Sequence, residues 1–212
     1  MNIICISDTH NFHDKLTLPI EGDLIIHAGD LTEAGTEREL KDFFDWFSKL
    51  PYPYKICIAG NHDFYLENIS KQELEELIPN NVIYLEDEAV NINGINFWGS
   101  PYTFTHHNWA FKKKQLEMET HWKKIPQQTN VLITHTPPKG VLDESNKEAE
   151  IGCPFLKEQI TLKKPKFHIF GHLHENYGIV KLQQTTYINA TSFIHNLSIP
   201  NPPIQIKFHK NY

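Results

Sequence analysis

Arginine is nearly missing from this 212-residue chain. Nineteen of its twenty Lys and Arg residues are lysine, and Arg38 is the exception. Chains that grip long nucleic acids or polyphosphates usually use the planar, bidentate guanidinium. That mode is closed here, and the net charge of −6 further disfavours a general affinity for nucleic acid or anionic membrane. Any phosphate must be held another way. Cysteine is also scarce. Cys5, Cys57 and Cys153 are far apart with no C-x-x-C pair, which excludes a thiolate metal site and points to free thiols in a reducing compartment. No apolar run approaches the roughly 18 residues of a membrane span. Met1-Asn2 leads directly into a short apolar run instead of a signal sequence. The expectation is a cytoplasmic protein without a membrane partner.

The length suits one domain over residues 1–212 with a sizeable core. Short β-branched runs recur: IICIS, DLIIHAG, YKICIAG, NVLITH and KFHIFG. Their apolar character on both faces predicts central strands covered by helices. Thr36 to Leu50 predicts an amphipathic helix opened by a Thr36/Glu39 capping box, and Ser70/Glu73 repeats that box. Later segments read as antiparallel. Asn93-Gly94 suits a tight hairpin turn, residues 177–190 suggest a second hairpin, and PIQIKF a terminal strand. Parallel units followed by antiparallel strands predict an α/β fold with mixed sheets. The stretch from Ser100 to Gln128 reads either as a lid or as a crossover helix.

Thirteen histidines are present, so any one of them begins as a surface or core residue. Their placement changes that view. His172 and His174 end an apolar run two positions apart, which on extended backbone puts both rings on one face. The other strand-like runs end alike: Asp8 and His10, Asp30, then Asn61, His62 and Asp63, then His135. Strand ends of an α/β sheet gather at one edge, where ligands bind. All five endings draw on oxygen and imidazole, the set that suits two divalent ions sharing a bridging carboxylate. Asp8 and Asp30 against two such ions leave a charge near +2, enough to clamp a phosphate without arginine.

SDTH, HAGD, GNHD, ITH and FGHLH, in this order, resemble the blocks of the calcineurin-like metallophosphoesterases. WGSPY, NWAF, THTPPKGVLD and GCP extend the likeness to the small branch holding the vertebrate metallophosphoesterase-domain proteins and their bacterial relatives. The resemblance implies a four-layer α-β-β-α sandwich with two mixed β-sheets and a dimetal site at the strand C-terminal ends. It implies one metal on Asp8, His10, Asp30 and His174, and a second on Asp30, Asn61, His135 and His172. One vertebrate branch has glycine at the first histidine of the last block; His172 is retained here. His62 is left as a catalytic imidazole for the leaving oxygen. Asp63 is expected to orient His62, to cap the following helix, or to do both. Asn61, His62, Asn108 and Trp109 are candidate substrate contacts, Trp109 by stacking a base or simply by lid packing; Asn189 is a further pocket candidate. His27 is expected to pack beneath the site, and His13 is a weaker substrate candidate. The other histidines are read as structural or solvated.

The expected reaction is hydrolysis of a small phosphodiester, such as a cyclic nucleotide, by a hydroxide bridging two divalent ions. Mn²⁺ is favoured, with Fe, Zn, Co or Ni also suited to the ligands. Two alternatives stand beside it: a phosphomonoesterase or protein phosphatase on the same site, and a non-catalytic scaffold. The partner is a small phosphoester, with no long nucleic acid; oligomeric state is open.

Overall fold

The computed structural model describes residues 1–104, 108–144, 152–193 and 200–209. His106, His107 and His195 lie outside the described residues. The strands are β1 (Asn2–Ile6), β2 (Leu24–Ala28), β3 (Tyr54–Ile58), β4 (Ile83–Tyr84), β5 (Glu88–Ile92), β6 (Ile95–Ser100), β7 (Thr103–Phe104), β8 (Lys112–Lys113), β9 (Val131–Thr134), β10 (Phe167–Phe170), β11 (Gly178–Leu182), β12 (Thr185–Asn189) and β13 (Ile204–Lys207). The helices are α1 (Glu37–Lys49), α2 (Phe64–Asn68), α3 (Lys71–Leu77), α4 (Gln115–Trp122) and α5 (Pro154–Lys163).

Two mixed sheets form, in the orders β13-β1-β2-β3-β4 and β11-β12-β10-β9-β6-β5. Strands β1 to β4 run parallel, with β13 antiparallel at the edge. In the second sheet β12, β10, β9 and β6 are parallel, and antiparallel β11 and β5 close the two edges. The hairpin at Asn93-Gly94 forms with both residues at positive φ, 52° and 75°, as a primed turn requires.

Side-chain alternation along the strands builds the layers. Ile3 and Cys5, Leu24 and Ile26, and Ile56 and Ile58 face a central core shared with Phe97, Val131, Ile133, Ile169 and Ile188 of the second sheet. The intervening residues Ile4, Ile6, Ile25 and Cys57 meet α1 through Leu40, Phe43, Phe44 and Phe47. On the far side Trp98, Leu132 and Phe170 meet Met118 and Trp122 of α4 and Leu156 and Ile160 of α5. The result is helix, sheet, sheet, helix. Both expected capping boxes are made, at Thr36/Glu39 and Ser70/Glu73. Because β1, β2, β3, β9 and β10 run parallel within their sheets, each sheet delivers its strand C-termini to one edge. A bridge from Ser7 to Thr191, and a bond from His135 Nδ1 to the Ala28 carbonyl (2.9 Å), join the two edges.

Candidate metal centre

Five strand ends supply the site, and those of β1, β2 and β10 need an unusual backbone to turn their side chains inward. Asp8, His10, Asp30 and His172 have φ of 53°, 45°, 54° and 70°. Left-handed backbone costs a non-glycine residue about 1–2 kcal/mol, and such strain gathers at functional sites. Space is equally tight. A Cβ on Gly60 would run into the Asp30 carboxylate, and one on Gly171 into that of Asp8.

The side chains converge in two groups. Asp8, His10, Asp30 and His174 form one; Asp30, His135 and His172 form the other, each with its ligand-type atoms within 4.8 Å of one another. Asp30 is common to both. In the first group His10 Nε2 and His174 Nε2 face each other at 3.4 Å, and His174 Nε2 is 3.4 Å from Asp8 Oδ1. In the second, His135 donates its Nδ1 hydrogen to the Ala28 carbonyl, which turns Nε2 towards Asn61 Oδ1 (3.0 Å) and Asp30 Oδ2 (3.2 Å). Asn61 therefore joins the second group through its amide oxygen.

The electrostatics follow from burying two carboxylates together. Burial pushes the Asp8 and Asp30 carboxyls up, but the surrounding imidazoles pull harder, and both are held well below the usual range. The same pairing works on His135: burial lowers its basicity, yet Asp30 and Asp8 outweigh it and raise it to about 9. His172 is lowered to about 4, by burial and by the charge of His135. Protons on imidazole thus neutralise the anions. Converging N and O lone pairs around two buried anions are the chemistry that hard or borderline divalent cations require, so these residues fit two such ions.

Hydrogen bonds from outside the cluster aim the ligand groups. Asp8 accepts from the His172 amide (3.0 Å) and the Thr191 hydroxyl (3.0 Å). Asp30 accepts from the His62 amide (2.9 Å). Sequence reasoning missed Thr191; its signal was its position just after β12, beside the strand ends. His62 lies at the rim, edge-on to His10 (4.6 Å) and stacked on Trp109 (4.5 Å). Its Nδ1 donates to the Glu33 carbonyl at 2.7 Å, leaving Nε2 for chemistry.

The expected roles of Asp63, Asn189 and His13, and the shared face of His172 and His174, need correction. Asp63 neither orients His62 nor caps α2 with its side chain. Its carboxylate is buried and accepts from Gly60 N (2.7 Å), Leu31 N (3.2 Å), Thr32 N (3.0 Å) and Thr32 Oγ1 (2.6 Å). It ties the Asp30 loop to the Asn61 loop. Burial, then the charge of Asp30, raises its carboxyl to about 6 despite these bonds. His172 and His174 do not share an extended face. His172 is left-handed and His174 opens a 3-10 turn, so the chain bends and sends each ring to a different group. Trp109 lies on His62 and Phe64, while exposed Asn108 accepts from Lys112 Nζ (2.8 Å). Asn189 is buried, donating to the Leu173 carbonyl and accepting from Thr191 N, which makes it structural. His13 turns from the site to stack on Trp46 (4.6 Å), and His27 packs beneath it, bonded to Thr9 and edge-on to Phe43. Within Ser100–Gln128, α4 is a packed crossover helix, while Ala110 N donates to the Asn61 carbonyl (3.0 Å) at the site.

Comparison with known proteins agrees with this geometry. A solved crystal structure superposes with a TM-score of 0.72 at 17% identity, covering 89% of each chain, and supports the fold alone. Metallophosphoesterase domain-containing protein 1 of Homo sapiens is 38% identical across 96% of this chain and 69% of its own length. A UPF0046 protein of Caenorhabditis elegans is 37% identical across 96% of the chain and 74% of its own. A protein of Arcobacter nitrofigilis named "Probable glycerophosphodiester phosphodiesterase GpdQ" is 33% identical over 55% of the chain and 42% of its own. The calcineurin-like phosphoesterase family model matches residues 1–176. Family and geometry together support metal-dependent hydrolysis of a phosphoester, and the chain belongs to the calcineurin-like phosphoesterases.

Proposed function

We propose that this chain is a dinuclear metal-dependent phosphodiesterase acting on a small phosphodiester, with cyclic nucleotides as the candidate class. The observation that carries the reading is the pair of buried ligand groups sharing Asp30. The assignment is Asp8, His10, Asp30 and His174 to one ion, and Asp30, Asn61, His135 and His172 to the other. Two divalent ions, when bound, supply the charge that holds phosphate oxygens and make water a better nucleophile. The chain supplies the rest. Asp30, fixed by the His62 amide, sits where both ions would be met. Among the described residues the His62 ring forms no ion pair with a carboxylate, and its Nδ1 hydrogen is committed to the Glu33 carbonyl. With the ring doubly protonated, Nε2 is the atom that hands a proton to the departing oxygen while Nδ1 keeps its own. Trp109 covers one face of that ring and limits water around it.

A small substrate is supported by the single arginine and the net charge of −6. The diester preference is supported by the name of the Arcobacter relative. Mn²⁺ is the working metal, since nitrogen and oxygen ligands admit it along with Fe, Zn, Co and Ni. One domain spanning residues 1–212 is supported by a core shared between both sheets. A cytoplasmic site of action is supported by three buried free thiols; among the described residues no helix is long and apolar enough to cross a membrane. The test is a panel of p-nitrophenyl phosphate, bis-p-nitrophenyl phosphate and 2′,3′- and 3′,5′-cyclic nucleotides with added Mn²⁺. Diesters should turn over faster than the monoester. Turnover of the monoester alone would move the assignment to a phosphatase, and no hydrolysis of any of these esters with Mn²⁺ would move it to a binding module.

A further inference from the structure

Among the described residues a third set of ligand-type side chains comes together: His10, Glu33 and His62. Glu33 belongs to neither group around Asp30. It lies three residues beyond Asp30, on the loop between β2 and α1. Its two kinds of acceptor face two different imidazoles. Carboxylate Oε2 is 3.0 Å from His10 Nδ1, and the backbone carbonyl accepts from His62 Nδ1 at 2.7 Å.

The His10 contact is the informative one. The His10 ring is buried, and its Nε2 faces Asp30 and His174. An Nε2 that offers its lone pair to a cation places the ring proton on Nδ1. That Nδ1 is buried and has no aligned hydrogen-bond partner. The Glu33 carboxylate is the charged acceptor within reach, and being 61% exposed it is free to rotate into line. The loop is already anchored for this. Glu33 N donates to Asn11 Oδ1 (3.2 Å), Asn11 Nδ2 donates to the Glu39 carbonyl (3.0 Å), and Ala34 N donates to Glu39 Oε1 (3.1 Å). Asn11 directly follows His10, so these bonds tie the Glu33 loop to the His10 segment. A third cation on this trio is disfavoured, because His62 Nδ1 already donates to a carbonyl.

We infer that Glu33 is a positioning residue for both imidazoles. Its carboxylate fixes the tautomer and rotation of His10, and its carbonyl holds the Nδ1 hydrogen of His62 and so sets the rotation of that ring. One residue thereby turns both Nε2 atoms to the reaction site. The inference rests on the two-metal reading proposed above.

Side-chain variants separate the two roles, since they remove the carboxylate and leave the carbonyl. A carboxylate behind a metal-bound imidazole is typically worth about 10–100-fold in affinity. The full chain, loaded with Mn²⁺, is equilibrated against graded chelator, and bound Mn²⁺ is counted by elemental analysis. Wild type should hold two ions. Glu33→Ala should release one of them at about 10–100-fold lower chelator and keep the other at the wild-type point. Glu33→Gln, which retains an acceptor, should fall between the two. Circular dichroism and thermal melting confirm that the variants are folded. Two ions released at wild-type chelator levels from folded Glu33→Ala would overturn the role of Glu33 and leave the phosphodiesterase reading intact. A wild-type chain that holds no Mn²⁺ would overturn both, and the distinction is read without any activity.

Discussion

In the proposed reaction Asp30 and His62 divide the work of the site between holding charge and moving a proton. Asp30 lies in both ligand groups. Its removal should therefore cost both ions, whereas His172 serves one group only. Asp30→Ala is expected to hold close to no Mn²⁺ and His172→Ala about one ion, by elemental analysis after gel filtration. A second ion retained in Asp30→Ala would refute the bridging assignment. His62 makes the opposite prediction. Its ring lies outside the two groups around Asp30, so His62→Asn should keep both ions. Losing a general acid typically costs about 10²–10⁴-fold in rate, and turnover of bis-p-nitrophenyl phosphate should fall on that scale. Unchanged turnover would remove His62 from the chemistry. The clustering of these side chains was legible in the sequence because metal-site chemistry draws on few residue types, and those types stood at the ends of β1, β2, β3, β9 and β10. The role of Asp63 was not legible. Three of its four partners are groups on the backbones of Gly60, Leu31 and Thr32, and backbone amides leave no mark in a sequence. Glu33 was hidden for a related reason: its carbonyl bonds one ring and its carboxylate contacts another across a loop whose path the residue types do not dictate.

At the scale of elements, α1 supports the site from behind. Phe43 packs edge-on against His27 at 5.1 Å and stacks with Phe47 at the same separation. His27 in turn contacts the Thr9 hydroxyl at 2.9 Å, between Asp8 and His10. A Phe43→Ala cavity should cost about 3–5 kcal/mol, measured by urea unfolding of the full chain. A loss below 1 kcal/mol would show that α1 collapses into the gap and does not brace the loop. The helix was legible from its apolar spacing and capping box. The path of the chain at His172 was not. An extended segment and a left-handed bend place the same two histidines near the site, and only the bend separates their rings between two groups. Histidine adopts positive φ more readily than most residues but still uncommonly, so residue type alone did not announce the bend, which sits where Gly171 lies close against Asp8 and Ser7.

Over the whole molecule, two sheets and two helical layers must stay in register for the two edges to meet at one site. The sandwich was legible from buried parallel strands followed by antiparallel ones, but the polar link that locks its outer layer was not. Asp87 is that link. It lies where the chain leaves β4 for β5, crossing from one sheet to the other. Its carboxylate accepts from Ser100 Oγ of β6 (2.8 Å) and Lys124 Nζ beyond α4 (2.9 Å), and lies 3.2 Å from His121 Nε2 on α4. Burial pushes its carboxyl up, but His121, Lys124 and Ser100 together bring it down to about 2. A carboxyl depressed on folding stabilises the fold above its unfolded value of roughly 3.9, and that contribution is lost as pH falls towards 2. The full shift is discounted because the neighbouring Lys124 is solvent-screened, leaving about 1–2 kcal/mol at pH 7. Asp87→Asn should therefore be less stable than wild type by about that amount at pH 7, with roughly half of the difference gone by pH 3. Paired urea titrations across this range measure it. A difference that stays constant with pH would mean that Asp87 acts by shape and hydrogen bonding alone. Metal content should be unchanged at pH 7, because Asp87 belongs to neither ligand group; loss of an ion in Asp87→Asn would show instead that the helical layer and the metal edge are mechanically coupled through Ser100, whose carbonyl accepts from the His135 amide.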